Sequence, residues 1–260
     1  EEYVEQSDNT NEKTEADDIY IVTEDTSKRD ETTKHFLLSD GSYKAVVYSA
    51  PIHHKKAGET EWSEINNTLT EVSDSSDNVY LEPKESPVDV KFFKYGNSDN
   101  LVKYNINGYE ISWSYENGDF GLFKKHSTSS REKSKANSIN KNKDIPLDSV
   151  EKTESRLKYD HFYKNVDIEY TVTSEGIKED IILKNDNVQN EFVIKYNIGS
   201  LTAIQTNSRL ITLYDGENAT IFVLFSIFNF SSIGFSTLIM KLSLFFSITS
   251  LFTLLSGSIS

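Results

Sequence analysis

The stretch from Leu157 to Leu183, LKYDHFYKNVDIEYTVTSEGIKEDIIL, constrains this chain most. Val166, Ile168, Tyr170 and Val172 alternate with Asp167, Glu169 and Thr171, the two-residue period of a strand with one buried and one wet face. Thr173 to Gly176 supply turn chemistry, and Ile177 to Leu183 resumes a β-branched apolar run, so the segment reads as a hairpin that builds a sheet core. Alternation sets Glu179 on the face of Ile177, Ile181 and Leu183. A lone carboxylate there is costly to desolvate, so this candidate buried charge needs a partner, or a bulge at Lys178 or Glu179 that turns it to water.

The same short-strand rhythm runs through most of the chain. Phe36–Leu38 and Tyr43–Tyr48 flank a Ser39-Asp40-Gly41-Ser42 turn, and Pro51 ends the second strand because it has no N–H for a ladder. Val88–Lys94, Leu101–Ile106, Tyr109–Tyr115 and Phe120–Phe123 follow, with Asn107-Gly108 and Asn117-Gly118 as hairpin signals. Phe192–Ile198, Leu201–Thr206, Leu210–Tyr214 and Thr220–Leu224 continue the pattern. No segment before residue 219 sustains a period near 3.6. The expected fold is all-β, an antiparallel β-sandwich, one large or two small.

Two polar stretches frame this region. Residues 1–32 are acidic with almost no core-forming side chains and are expected to form a disordered leader; residues 124–155, rich in Lys, Ser and Asn, are expected to form a mobile basic loop inside the sandwich region 33–224. The net charge of −14 opposes nucleic acid as a partner, since phosphate binders gather lysine and arginine on one face. With no cysteine, disulfides, thiolate metal sites and CxxC redox chemistry are excluded. A start at Glu1 rather than Met suggests a processed or excised fragment.

Candidate site residues are few. Trp62, Trp113 and Tyr115 are candidates for glycan stacking, although plugging a sandwich core is the blander reading of such aromatics. Asp167 and Glu169 lie on one strand face about 7 Å apart by strand rise, near the spacing of an inverting carboxylate pair, but any alternating surface strand supplies one. His53 and His54 point to opposite faces with no carboxylate at ligand-like spacing, so no metal and no cofactor is expected.

Several blocks carry a family resemblance: Thr33-Lys34-His35-Phe36, Asp40-Gly41-Ser42, Ala45-Val46-Val47-Tyr48 and Pro51-Ile52-His53, then Trp62 with Ile65-Asn66-Asn67-Thr68-Leu69. Further on stand Gly108-Tyr109-Glu110-Ile111-Ser112-Trp113, Tyr159, Asn165-Val166-Asp167-Ile168-Glu169-Tyr170 and Gly176-Ile177-Lys178-Glu179. Across Thr33 to Tyr214 the chain resembles the N-terminal region of large secreted, cell-wall-associated proteins of Gram-positive bacteria, of the kind that carry DNRLRE modules or RHS (YD) repeats. Family members favour Asp where Asn66 stands and Tyr where His54 stands. The resemblance implies a non-enzymatic structural or adhesive surface module whose partners are cell-wall polysaccharide or other domains of the parent protein. The alternative is a carbohydrate-binding or carbohydrate-active sandwich.

The end of the chain departs from that pattern. Residues 225–260 are dominated by Phe, Leu, Ser and Ile, and from Ala219 to Met240 there is no charge, a run long enough to span a membrane. Two readings compete: a membrane segment, with membrane anchoring as its consequence, or a tail not native to this module. Under either, Thr220–Leu224 is expected to be the last strand on the sandwich, with the remainder projecting away from it.

Overall fold

The computed structural model describes residues 19–120, 124–126, 152–185, 189, 191–207, 210–217, 220–225, 229–233, 237–243 and 250–255. In chain order the strands begin with β1 (Ile21–Glu24), β2 (Thr33–Leu38), β3 (Tyr43–Val47), β4 (His53–His54), β5 (Ser63–Glu64), β6 (Asn66–Ser73) and β7 (Val79–Glu85). Next come β8 (Asp89–Phe93), β9 (Val102–Ile106), β10 (Tyr109–Tyr115), β11 (Lys124–His126), β12 (Ser155–Tyr163), β13 (Val166–Val172) and β14 (Ile177–Leu183). The last are β15 (Glu191–Asn197), β16 (Thr202–Asn207), β17 (Leu210–Tyr214), β18 (Thr220–Phe225), β19 (Asn229–Ile233), β20 (Thr237–Ser243) and β21 (Ser250–Leu255). Among the described residues the only helical turn is the 3-10 turn Thr26–Lys28, which the Asp25 side chain caps by accepting from the Ser27 N–H.

Among the described residues two eight-stranded sheets dominate, and every strand pair is antiparallel. The first runs β19-β20-β15-β10-β9-β8-β7-β6 and the second β11-β12-β13-β14-β21-β18-β17-β16. Their inner faces share one core, as the all-β, two-sheet expectation requires. Aromatic pairs cross it: Phe92 against Tyr170 at 5.2 Å, Tyr115 against Phe162 at 5.4 Å and Tyr163 against Phe192 at 5.2 Å. Such contacts add to the hydrophobic burial that drives sheets together.

Turn chemistry follows the local sequence. Asn107 and Gly108 both have positive φ, 51° and 82°, which the two-residue connection between β9 and β10 demands. Gly118 has a different reason to be glycine. A Cβ there would lie 2.3 Å from the Phe162 ring, so the β10 turn approaches the core ring too closely for any side chain.

The N-terminal and C-terminal expectations need correction. Residues 21–24 and 26–28, inside the expected leader, form β1 and the 3-10 turn, and β1 pairs with β2, which pairs with β3. Glu24 and Arg29 tie this segment to β2 and β5, which offsets the ordering entropy that the acidic composition alone does not. Residues 1–18 and most of the expected basic loop lie outside the described residues, while Lys124–His126 of that loop pairs with β12.

The hydrophobic tail enters both sheets instead of projecting away. Strand β20 pairs with β15 from Glu191↔Ser243 to Asn197↔Thr237, and β21 lies between β14 and β18. An apolar run with a single lysine satisfies its backbone equally well in a ladder whose neighbours present open edges. No helix among the described residues is long and apolar enough to cross a membrane.

Candidate functional site

Polar groups gather at three places, and each is built by register. The first lies at the centre of the sandwich. On one sheet Tyr170 of β13 stands directly across from Glu179 of β14; on the other, Trp113 of β10 stands across from Tyr196 of β15. The indole of Trp113 stacks on Tyr196 at 5.7 Å, and its Nε1–H donates to the Tyr170 hydroxyl oxygen at 3.2 Å and to the Glu179 carboxyl at 3.3 Å. The Tyr170 hydroxyl also donates to Glu179.

Glu179 is only 2% exposed, and it lies on the core face without a bulge. Burial pushes its carboxyl up to about 7, against the pull of the Tyr170, Tyr115 and Trp113 donors, with nearby Asp180 adding to the rise. The phenols of Tyr115, Tyr170 and Tyr196 are held well above their usual range, first by burial and next by the Glu179 charge.

The second place is the outer face of the second sheet. Asp167, 0% exposed, lies 2.6 Å from Lys158 Nζ and 2.6 Å from Lys184 Nζ, and accepts from the His161 N–H at 2.7 Å. His161 reaches it through a positive φ of 55° at a β12 irregularity. Burial alone would raise the Asp167 carboxyl, but the two lysines and the His161 N–H outweigh it and hold the group below the usual carboxylate value. Glu169, its expected partner in an acidic pair, instead meets Arg156 at 3.7 Å. Asp167 is thus a closed ion cluster and offers no free acid or base.

The third place joins the N-terminal segment to the β4-β5 ribbon. Glu24, His53 and Glu64 bring one nitrogen and two carboxylate oxygens within 4.8 Å of one another, a grouping that sequence spacing does not display. His53 Nδ1 donates to the Asp30 carbonyl at 2.6 Å, and burial, together with Arg29 and Lys34, keeps the ring below its usual value and neutral. That leaves Nε2 as a buried lone pair without a hydrogen-bond partner. The cluster already holds its cations, however. Lys34 Nζ sits 2.5 Å from Glu64 and 3.5 Å from Glu24, and Arg29 lies 2.6 Å from Glu24 and 3.1 Å from Glu64. Two carboxylates against two cations leave no charge for a metal ion to compensate.

The aromatic candidates separate. Trp113 and Tyr115 are 1% and 0% exposed and cannot present a ring to a sugar. Trp62 is half-buried with Lys55 Nζ 4.7 Å over its ring. His54 pairs with Glu85 at 2.7 Å, which Lys56 also reaches at 2.9 Å.

Fold and site together define an antiparallel β-sandwich module in which Glu24, Glu64, Asp167 and Glu179 are each engaged by neighbouring side chains. No protein-family model matches the chain, and no solved structure matches it. It is 25% identical over 158 residues, 60% of its own length and 55% of the relative's, to the "Wall-associated protein" of Geobacillus stearothermophilus. It is 27% identical over 181 residues, 68% of this chain but 7% of the relative, to "tRNA nuclease WapA" of Bacillus subtilis (strain 168). A similar match, 26% over 181 residues, links it to "tRNA(Glu)-specific nuclease WapA" of Bacillus subtilis subsp. natto. The chain therefore spans about half of the first relative and a small part of the others. Its similarity is to cell-wall-associated bacterial proteins.

Proposed function

We propose that this chain is a non-enzymatic adhesive or structural module from the N-terminal part of a large secreted bacterial surface protein, held at the cell wall. The observation that carries the reading is the conjunction of similarity to a wall-associated protein with the engagement of the four carboxylates of the candidate clusters: Asp167 by two lysines, Glu179 by Trp113 and Tyr170, Glu24 and Glu64 by Arg29 and Lys34. A general acid or base has to reach its substrate, and each of these groups is already committed to a partner. The nuclease activity named for the WapA relatives belongs to proteins of which the matched region is 7%, so it is not carried over to this module. The DNRLRE or RHS (YD) character of the parent and a wall-polysaccharide partner belong to the same proposal, and the acidic net charge favours a partner other than nucleic acid. Incubating the purified chain with tRNA tests the non-enzymatic part. Intact tRNA is expected, and cleavage that a single substitution at Asp167 or Glu169 abolishes in a folded protein overturns it.

A further inference from the structure

The two sheets are joined at their centre by one ionisable group with no cation beside it. Among the described residues, Glu179 meets only neutral donors: the Trp113 Nε1–H from β10 at 3.3 Å and the Tyr170 hydroxyl from β13. The Tyr115 hydroxyl, buried beside the same carboxyl, is a third neutral donor that pulls on it. Tyr196 from β15 faces it from beyond the indole, and Tyr159 from β12 spends its hydroxyl on the Phe93 carbonyl at 3.0 Å. On β14 itself Asp180 adds like charge and is paired with Lys178 at 2.8 Å. On the far side, β21 pairs with β14 with Phe252 opposite Glu179, and Ser250–Leu255 contains no ionisable residue. Strands β17 and β18 contribute Ile211, Leu213 and Ile221 to this core.

We propose that Glu179 is a pH-operated latch between the sheets. As a protonated, neutral carboxyl it accepts from Trp113 and Tyr170 and closes the seam between β10 and β14. On losing that proton it becomes a buried anion with no counter-cation, and the seam loosens. The phenols around it stay neutral throughout, since burial holds them well above their usual range, so Glu179 is the group of this network that titrates near neutrality. Its carboxyl is raised in the folded state, to about 7 from 4.5, so the stability it contributes is full below 4.5 and is lost as pH rises through about 7.

The test is urea unfolding of the full chain from about pH 5.5 to about pH 8.5, for the wild type and Glu179→Gln. The wild-type midpoint should fall as pH rises while the Glu179→Gln midpoint stays level. Parallel curves would overturn the latch, because the pH dependence would then come from elsewhere. Should Glu179→Gln not fold, the infrared carbonyl band of a protonated carboxyl in the wild type and in Tyr170→Phe decides. Loss of that band near neutrality, moved to higher pH by Tyr170→Phe, supports the latch; loss only in the ordinary acidic carboxylate range overturns it.

Discussion

The indole N–H of Trp113 on one sheet donates to the carboxyl of Glu179 on the other at 3.3 Å, across the middle of an otherwise apolar core. This one bond ties together residues 66 positions apart, and it makes the centre of the sandwich sensitive to both shape and protonation. Trp113→Phe keeps an aromatic ring but removes the donor. It should cost about 1 to 3 kcal/mol, with the larger loss above neutral pH, where the carboxyl is ionised. Urea unfolding at two pH values checks this. An equal loss at both would mean that the N–H does not serve the carboxylate.

Asp167 has the opposite pH sign. Its carboxyl is held below the usual value, so the stability it adds is present above the unfolded carboxylate range and is lost as pH falls through the folded value. Asp167→Asn should therefore destabilise the protein by about 1 to 3 kcal/mol near neutral pH and progressively less in acid, as the wild type loses the same interaction. Melting curves of both proteins along an acid series should converge.

Gly118→Ala would drive a methyl to 2.3 Å from the Phe162 ring, itself packed between Tyr115, Tyr159 and Phe120. Overpacking of this kind costs about 1 to 3 kcal/mol. Gly41→Ala meets no atom within 4 Å, but its φ of 81° carries strain, so its cost should be that of the backbone alone. Truncating Phe162 should rescue Gly118→Ala in a double-mutant cycle and leave Gly41→Ala unaffected.

Lys34→Ala leaves Glu24 and Glu64 facing each other with Arg29 as their remaining cation. Breaking a buried pair from one side costs about 3 to 5 kcal/mol, although the 35% exposure of Glu64 brings this site toward the lower end. Because this cluster reinforces the ladder that joins β1 to β2, amide exchange in Ile21–Glu24 should quicken first.

How much of this was legible in the sequence depends on the range of the interaction. The β13-β14 hairpin is written locally, in the alternation of Val166, Ile168, Tyr170 and Val172 and the turn at Gly176, and the face on which Glu179 lies follows from the same period. Its cross-sheet donor does not, because Trp113, stacked on Tyr196, reaches it from a different sheet whose order, β10 beside β15, skips four strands. The meeting of His53 with Glu24 and Glu64 is equally invisible to spacing rules. Composition misled at both ends: an acidic stretch gained order from Arg29 and Lys34, and an apolar run with Lys241 as its single charge, which looked surplus, supplies the strands that cover the edges of β14 and β15. Truncation after Phe225 removes β19, β20 and β21 and should abolish the cooperative unfolding transition, where a projecting tail would leave it unchanged.

The proposed role of this sandwich, a module held at the cell wall without chemistry of its own, is tested by cosedimentation of the purified full chain with isolated Gram-positive cell walls. The folded chain should pellet with the walls, equally for wild type and Glu169→Gln, and heat-unfolded chain should not. A folded chain that stays wholly in the supernatant would contradict it.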